Sequence, residues 1–471
     1  MTADLARATA VELHGLYRSK KASPVETATA VLDRIEAVNP VLNCFCLVDR
    51  DTSLAQARES EARWHAGLPL SPLDGVPVSI KDLTLTAGWP TLRGSRTIDP
   101  DQDWDEDSPA VARLREAGAV LSGKTTTPEF GWKGVTDNTL TGITRNPWDP
   151  RRTPGGSSGG AAAAAAACLG PLHQGSDAAG SVRIPAAFSG VFGHKPTFGI
   201  VPQYPLPGHI GNLANFGPLT RTVEDGVLML NAMAAKPDLR DPLAPPLQGR
   251  DWGLALDDGI RGLRVAYSPT LGPHGWADAD VAAKVKAAVE VLAGLGAHVE
   301  EADPDIPDPT ALINTLWESA DAWLVDGMPA DKRGLVDPGL AAIAEKGRRH
   351  TASDILSAHA GRLNLSVAMN RFFGKYDLLI TPQMPLEAFE AGALVPADRD
   401  MKDFVSWTPF TYPFNLTMHP AASVPCGFGD DGMPVAFQIV GRHFEDATVL
   451  RAARAYEAVH PFAMPEDSRY A

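Results

Sequence analysis

A stretch of very small residues in the middle of the chain limits what the protein can fold into. Over residues 153–190, two glycine-serine loops flank an alanine-rich helix candidate in the order TPGGSSGGAAAAAAACLGPLHQGSDAAGSVRIPAAFSG. Small residues let backbones approach closely, and glycines permit the unusual dihedral angles and exposed amides from which an oxyanion site is built. Because flexible linkers are not normally interrupted by such a helix, we expect this segment to lie inside a folded domain.

Strand and helix patterns alternate on both sides of that segment. Residues 76–80 form an apolar run of strand type, Ser108 and Pro109 begin a helix, and a short buried strand follows. A second strand–helix–strand pattern covers residues 263–299. This alternation predicts an α/β fold, a single large domain with a mixed, mostly parallel central sheet covered by helices on both faces.

The length of the chain, 471 residues, allows one large hydrophobic core. Ser23, Pro24 and Glu26 form a capping box with proline at the first helical position. The Pro/Asp-rich stretch 236–262 is either a linker or a long surface excursion within one domain. We expect a single domain over 1–471 with an N-terminal helical region (1–65), a catalytic core (66–235), a variable and partly helical region (236–375) and a C-terminal core segment (376–471).

The charge and the cysteines exclude several classes of partner. With 42 Lys and Arg against 57 Asp and Glu, the net charge of -15 disfavours nucleic acid and anionic membranes. The close pair Cys44 and Cys46 lacks the spacing of zinc ligands, so we expect reduced thiols, and the twelve histidines show no metal-binding spacing either, so no metal is expected. Neither a secretory signal nor a transmembrane segment is expected, and we predict a cytoplasmic protein. The oligomeric state stays open, with a homodimer as one option.

The first glycine-serine loop fits two common motifs incompletely. Residues 155–160 have the spacing of a P-loop, but Ala161 occupies the lysine position, so phosphate binding is not expected. Residues 156–160 also satisfy GxSxG, the nucleophile elbow, with Ser158 at the centre. An elbow must follow a strand, and the preceding NPWDPRRTP is unsuited to a central parallel strand. The alanine-rich helix that follows does fit, so the elbow remains an alternative.

A third pattern extends over most of the chain. LDGVPVSIKD, GKTTTPEFG, TPGGSSGGAAAA, GSDAAGSVRIPA, GHKPTFG and GPLTRTVED occur in the order found in amidase-signature enzymes. The chain resembles this family from about Val11 to Tyr456, which implies the family's fold and hydrolysis of a carboxylic amide without a cofactor. On that resemblance, Lys81, Ser157 and Ser181 occupy the positions of the base, the bridging serine and the nucleophile.

These residue types suit the implied chemistry. A serine hydroxyl becomes a good nucleophile only when a nearby base removes its proton, and a lysine serves as a base only when neutral. The pKa of lysine, ordinarily about 10.4, falls on burial, and the apolar strand 76–80 would deliver Lys81 into such an environment. The hydroxyl of Ser157 donates and accepts at once. The resemblance further implies that the Gly156–Ser157 peptide bond is cis.

The second loop is expected to supply an oxyanion hole. The candidate donors are the backbone amides of Ala178, Ala179, Gly180 and Ser181. The family usually has glycine at the position of Ala179 and often at that of Met418, so these positions affect the loop dihedral and the pocket wall. We expect the following residues to support the two loops: Gly156, Ser158, Ser176, Asp177 and Arg183.

A hydrophobic substrate pocket is expected beside these loops. Its candidate residues are Phe130, Trp132, Tyr204, Leu206, Ile210 and Trp317. We expect a free-standing enzyme that hydrolyses a moderately bulky, uncharged amide or carbamate, with anilides and esters as further options. One alternative is the glutaminase subunit of a tRNA-dependent amidotransferase, although TFGIVPQYPLPGHIGNLANFGPLTRT is unlike the corresponding segment of such subunits. Another is a catalytically silent binding protein of the same fold.

Overall fold

An eleven-stranded sheet organises the part of the chain that the computed structural model describes, residues 4–206, 211–247 and 249–470. Two further short strands, Asp137–Asn138 and Gly142–Ile143, pair with each other. The strands in chain order are β1 (Phe45–Leu47), β2 (Pro77–Lys81), β3 (Val120–Thr125), β4 (Asp137–Asn138), β5 (Gly142–Ile143), β6 (Leu172–Asp177), β7 (Phe192–Lys195), β8 (Asn215–Thr220), β9 (Arg264–Tyr267), β10 (His298–Glu301), β11 (Leu378–Pro382), β12 (Ala421–Phe428) and β13 (Pro434–Gly441).

The sheet is mixed, with the order β1-β3-β2-β6-β8-β7-β12-β13-β11-β9-β10. Parallel neighbours occur in two flanks, β3-β2-β6 and β11-β9-β10. The strands between β6 and β11 pair in antiparallel fashion, as does β1 with β3. The predicted single α/β domain with a mixed sheet is confirmed. Both strand–helix–strand patterns of the sequence give parallel pairs, β2 with β3 and β9 with β10.

Helices surround this sheet, and within residues 4–206, 211–247 and 249–470 none is long and apolar enough to cross a membrane. Short 3₁₀ turns connect some of them. The helices in chain order are α1 (Ala10–Arg18), α2 (Pro24–Leu42), α3 (Arg50–Ala66), α4 (Pro109–Glu116), α5 (Gly159–Ala166), α6 (Arg183–Ser189), α7 (Val223–Met233), α8 (Ala279–Gly294), α9 (Thr310–Asp326), α10 (Pro338–Gly347), α11 (Ala352–Phe372), α12 (Pro413–Leu416) and α13 (Asp446–Glu457).

Alternate side chains of the central strands enter two hydrophobic cores. On β13, Phe437 and Ile439 pack in one core with side chains of α7, α8 and α13. Ala436 and Val440 pack in the other, together with side chains of α9 and α11. Because successive side chains of a strand point to opposite faces, the sheet is covered on both sides, as predicted.

The helix starts predicted from the sequence are confirmed. Ser23 caps α2: its side chain accepts from the Glu26 amide, and the Glu26 side chain accepts from the Ser23 amide. Ser108 caps α4 by accepting from the Val111 amide, with proline at the first helical position. These caps satisfy amides that a helix N-terminus leaves unpaired.

The Pro/Asp-rich stretch is a surface excursion rather than a linker. Residues 236–247 and 249–262 contain no regular helix or strand, yet Trp252 and Ile260 are buried in the first core. The region 236–375, expected to be partly helical, contains α8, α9, α10 and α11. The proposed division of the chain into four segments stays a prediction.

The alanine-rich segment forms α5, which is buried along its whole length. A Cβ on Gly160 would lie 2.5 Å from both the Cys44 carbonyl oxygen and the Thr126 nitrogen, so a larger residue does not fit. The helix contacts β2, β3, β6 and β8. Small side chains therefore let α5 pass directly against the strands, which fixes the serine loop at its N-terminus.

Candidate active site

Lys81, the last residue of β2, ends among three serine hydroxyls. Its Nζ lies 2.7 Å from Ser157 Oγ, 2.9 Å from Ser158 Oγ and 3.0 Å from Ser176 Oγ. Ser176 lies near the end of β6, which runs parallel to β2, so both strands end at the same edge of the sheet. The other two serines immediately precede α5. The structure thus brings together residues that are far apart in the sequence.

The environment of Lys81 favours an uncharged amine. The side chain is fully buried. This burial lowers its pKa well below the ordinary value, against the smaller opposing effect of the negative charge on Asp177. The three polar contacts of the amine are neutral hydroxyls, which do not compensate a buried ammonium as a carboxylate would.

Ser157 lies in a tight loop at the cavity surface. Its peptide bond to Gly156 is cis, as predicted. A Cβ on Gly156 would lie 2.6 Å from the Val135 carbonyl carbon, and a Cβ on Gly131 would lie 3.1 Å from Ser157 Oγ. Ser157 and Ser181 both line the same cavity. The close packing around Gly156 and Gly131 therefore leaves little free space next to Ser157.

Ser181 occupies the turn between β6 and α6. Its carbonyl oxygen accepts from the Ser158 amide at 3.1 Å, which joins the two serine loops. The preceding Gly180 has φ +124°, and a Cβ there would lie 2.6 Å from Thr411 Cβ. Glycine is therefore required next to Ser181 for both conformational and steric reasons.

The four predicted oxyanion donors differ in what their amides contact. The Gly180 amide donates to Asp177 Oδ1 at 2.8 Å, so it holds the loop and is not free for an oxyanion. The amides of Ala178, Ala179 and Ser181 have no acceptor among the described residues. Ala178 and Ser181 also line the cavity. These three amides remain the candidate donors.

The two departures from the family pattern have different consequences. Ala179 is not among the described residues with positive φ, so alanine is accommodated where the family usually has glycine. Met418 has φ +62°, the left-handed conformation that glycine adopts most readily. Met418 is not part of the cavity lining. Met418 therefore does not contribute to the pocket wall by direct contact, contrary to the expectation from the sequence.

A buried ion pair supports the loop that carries Ser181. Arg183 donates from Nε to Asp177 Oδ2 at 2.9 Å and from Nη2 to Asp177 Oδ1 at 3.0 Å. Burial alone would raise the pKa of Asp177, but the charge and hydrogen bonds of Arg183 outweigh it and hold the pKa well below its usual range. The guanidinium also donates to the Thr411 carbonyl, Gln438 Oε1 and Asn415 Oδ1.

The serines open into a cavity of about 580 Å³, a volume suited to a small organic ligand. Its apolar and aromatic lining includes Leu83, Ile98, Phe130, Trp132, Leu206, Phe216, Trp317, Leu324 and Met328. Four of the six predicted pocket residues therefore lie in the wall. Tyr204 does not, because its ring packs against the Arg240 guanidinium at 4.8 Å. Ile210 lies outside the described residues.

Two ionisable residues in the wall were not predicted. Asp321 lies one turn after Trp317 on α9, and Arg93 lies in the loop after β2. A carboxylate on the apolar face of a helix was the signal in the sequence that would have identified Asp321. Arg93 has φ +55° and belongs to no recognisable pattern.

The nucleophile-elbow alternative is not supported by the position of Ser158. The residue is fully buried and lies outside the cavity lining. Residues 144–157 before it contain isolated bridges but no strand. Its hydroxyl instead contacts Lys81 and donates to the Ser176 carbonyl at 3.1 Å, which braces the loop.

Comparisons with a family model, with known proteins and with solved structures point to the same family. A family model described as Amidase matches residues 26–450. An acylamidase from Rhodococcus erythropolis is 41% identical over 467 residues, 98% of this chain and 97% of the relative. A glutamyl-tRNA(Gln) amidotransferase subunit from Carboxydothermus hydrogenoformans is 35% identical, with 95% of this chain and 96% of the relative covered. The crystal structure of a bacterial aryl acylamidase of the amidase signature enzymes gives a TM-score of 0.89 at 30% identity, covering 97% of this chain and 96% of that chain.

Proposed function

The chain belongs to the amidase-signature family and is an amide-hydrolysing enzyme, and from this premise we propose a free-standing hydrolase of bulky, uncharged amides. Anilides are the substrates that we expect first, because the similar proteins include an acylamidase and an aryl acylamidase. The observation that carries the proposal is the 2.7 Å contact between the buried Lys81 amine and Ser157, whose hydroxyl shares an apolar cavity with Ser181.

The hydrogen bonds around Lys81 support a relay through Ser157. Ser158 gives its hydroxyl hydrogen to the Ser176 carbonyl, so the contact between Lys81 and Ser158 requires an N–H of the lysine as donor. A neutral amine keeps one lone pair, which can accept the hydroxyl hydrogen of Ser157. Ser157 can then take a proton from Ser181 as it gives up its own.

The proposed reaction proceeds through an ester on Ser181. As Ser181 Oγ attacks the carbonyl carbon, its proton passes to Ser157 and the proton of Ser157 passes to Lys81. Negative charge on the carbonyl oxygen is stabilised by the amides of Ala178, Ala179 and Ser181, and loss of one such donor typically costs about 3 to 4 kcal/mol of barrier lowering. The proton then returns through Ser157 to the departing amine.

Water then hydrolyses the ester on Ser181, and its proton is transferred through Ser157 and Lys81. Lys81, again neutral, accepts a proton through Ser157 as water attacks the ester carbonyl. The tetrahedral intermediate collapses, the carboxylic acid leaves and Ser181 recovers its hydrogen. Carbamates and esters present the same carbonyl chemistry, and the proposal includes them as secondary substrates.

The glutaminase subunit remains the alternative within the same chemistry. Its support is the 35% identity to the amidotransferase relative, which is lower than the 41% identity to the acylamidase. The cavity also favours the free-standing enzyme, because its wall is mainly apolar and aromatic. The ammonium group of free glutamine would enter beside the positively charged Arg93, which opposes its binding.

Turnover by the purified chain alone tests the proposal. We expect hydrolysis of a hydrophobic p-nitroanilide and little release of ammonia from glutamine. Ser181→Ala and Lys81→Ala should each nearly abolish the rate. Lys124→Ala is the matched control for loss of a buried lysine, because Lys124 Nζ contacts the Thr84 carbonyl and lies outside the cavity lining. Release of ammonia from glutamine without anilide hydrolysis would instead support the glutaminase alternative.

A further inference from the structure

The cavity wall carries a carboxyl group that the proposed hydrolysis does not use. Asp321 lies on α9 and lines the cavity, but it is only 3% exposed. Its Oδ2 accepts no hydrogen bond from the described part of the chain. A buried acceptor without a donor lowers the stability of a fold. That loss is explained if a ligand in the cavity supplies the missing donor.

The surroundings of Asp321 favour the uncharged form of its carboxyl group. Burial raises its pKa well above the ordinary value, and the negative charge of Glu318, on the preceding turn of α9, raises it further. A neutral carboxyl accepts and donates hydrogen bonds, whereas it offers no charge to an ammonium. The group is therefore suited to a neutral ligand.

Two other residues of the wall point to the same class of ligand. Trp132 lines the cavity, and its buried Nε1 has no acceptor among the residues that the structure describes. Arg93 also lines the cavity, and its positive charge opposes the entry of a cation. A neutral group that both donates and accepts, such as a carboxamide, matches this wall better than an ammonium does.

We infer that Asp321 is a specificity residue for substrates that carry a second, neutral N–H group away from the bond to be cut, as in a second carboxamide. The inference rests on the proposed function, because it takes the cavity beside Ser181 as the substrate site. The remote N–H donates to the Asp321 carboxyl group while the reacting carbonyl lies beside Ser181. A substrate with carbon in place of that nitrogen leaves the carboxyl unpaired and is used less efficiently.

Pairs of substrates that differ only in the remote N–H group measure the contribution of that group to the rate. Two series of acyl p-nitroanilides of graded chain length are compared, one ending in an acetamido group and the other in the ketone in which CH₂ replaces N–H. We expect kcat/KM at the best chain length to favour the acetamido compound by roughly tenfold. Asp321→Leu should remove this preference. Asp326→Asn, an exposed change on the same helix and outside the cavity, should leave it unchanged.

Binding to the Ser181→Ala protein gives the same comparison without turnover. Quenching of cavity tryptophan fluorescence measures the affinity of each compound, so the inference is tested even if no amide is hydrolysed. Failure of hydrolysis with a retained binding preference would overturn only the proposed function. Equal affinity for the two series, or a preference that survives Asp321→Leu, would overturn the role of Asp321.

Two further readouts separate this role from a structural one. Asp321→Leu should raise the thermal unfolding midpoint, because it removes an unpaired buried polar group. A midpoint lowered in both Asp321→Leu and the nearly isosteric Asp321→Asn would show that the carboxyl has a partner within the protein and would overturn the inference. A third series ending in a primary ammonium should bind more weakly than the acetamido series, and stronger binding that Asp321→Asn abolishes would identify an ammonium site instead.

Discussion

Replacing Asp177 with asparagine tests whether the buried ion pair holds the loop that carries Ser181. The Asp177 carboxylate accepts two N–H groups of Arg183 and the amides of Gly180 and Val182. Asparagine has almost the same shape, but it is neutral and one of its two terminal atoms is a donor. At least one donor that now binds the carboxylate would lose its acceptor.

The size of the effect follows from the burial of both partners. Arg183 and Asp177 are each fully buried, and in the described structure Asp177 is the only anion that Arg183 contacts. Removal of one member of a buried ion pair costs about 3 to 5 kcal/mol, because the remaining charge is uncompensated. We expect Asp177→Asn to lower the free energy of unfolding by this amount, and to lower turnover because the Gly180 amide loses its anchor.

Urea unfolding of Asp177→Asn and Asp326→Asn, measured at one pH, checks this magnitude. Asp326 pairs with Arg348 at the surface, where the two side chains are 48% and 37% exposed. The same exchange there should cost less than about 1 kcal/mol. Equal losses of stability in the two variants would refute the reasoning that burial makes the Asp177 pair important.

Three other predictions concern the site. Because Lys81 must be uncharged, kcat/KM should fall only as the pH drops through a pKa far below the ordinary lysine value, and an acid limb that begins near pH ~10 would contradict this. Gly180→Ala should lower both turnover and stability, the latter by roughly 1 to 3 kcal/mol, through its clash with Thr411. Gly432→Ala, also at positive φ but with nothing within 4 Å, should cost less stability and leave turnover intact. Chelators should leave the rate unchanged, since no group of three potential ligands among the described residues could hold a metal, and a loss that zinc restores would contradict this.

Features of the fold that are set by residues close together in the sequence could be predicted. Helix starts at Ser23 and Ser108 follow from local capping, and both βαβ units follow from local periodicity. The antiparallel centre of the sheet could not be predicted in this way. Pairing of β6 with β8 and of β12 with β7 joins strands that are not consecutive in the chain, and local patterns carry no information on such pairs.

The site was predictable only through the order of its motifs. Periodicity alone would allow Lys81 to extend to solvent, since a lysine at a strand end commonly does so. The family resemblance placed it beside Ser157, where the structure has it. The role of the Gly180 amide depends on the exact loop dihedral, and the position of Tyr204 depends on its contact with Arg240. Neither dependence is visible in the sequence.

Mapping the site of covalent modification by a fluorophosphonate tests the central claim most directly. The account predicts an adduct on Ser181 in the wild-type protein, formed much more slowly in Lys81→Ala because the neutral base is missing. Peptide mass spectrometry identifies the residue, and the rate of labelling measures its activation. An adduct on Ser158, or a labelling rate at Ser181 that does not depend on Lys81, would contradict the account.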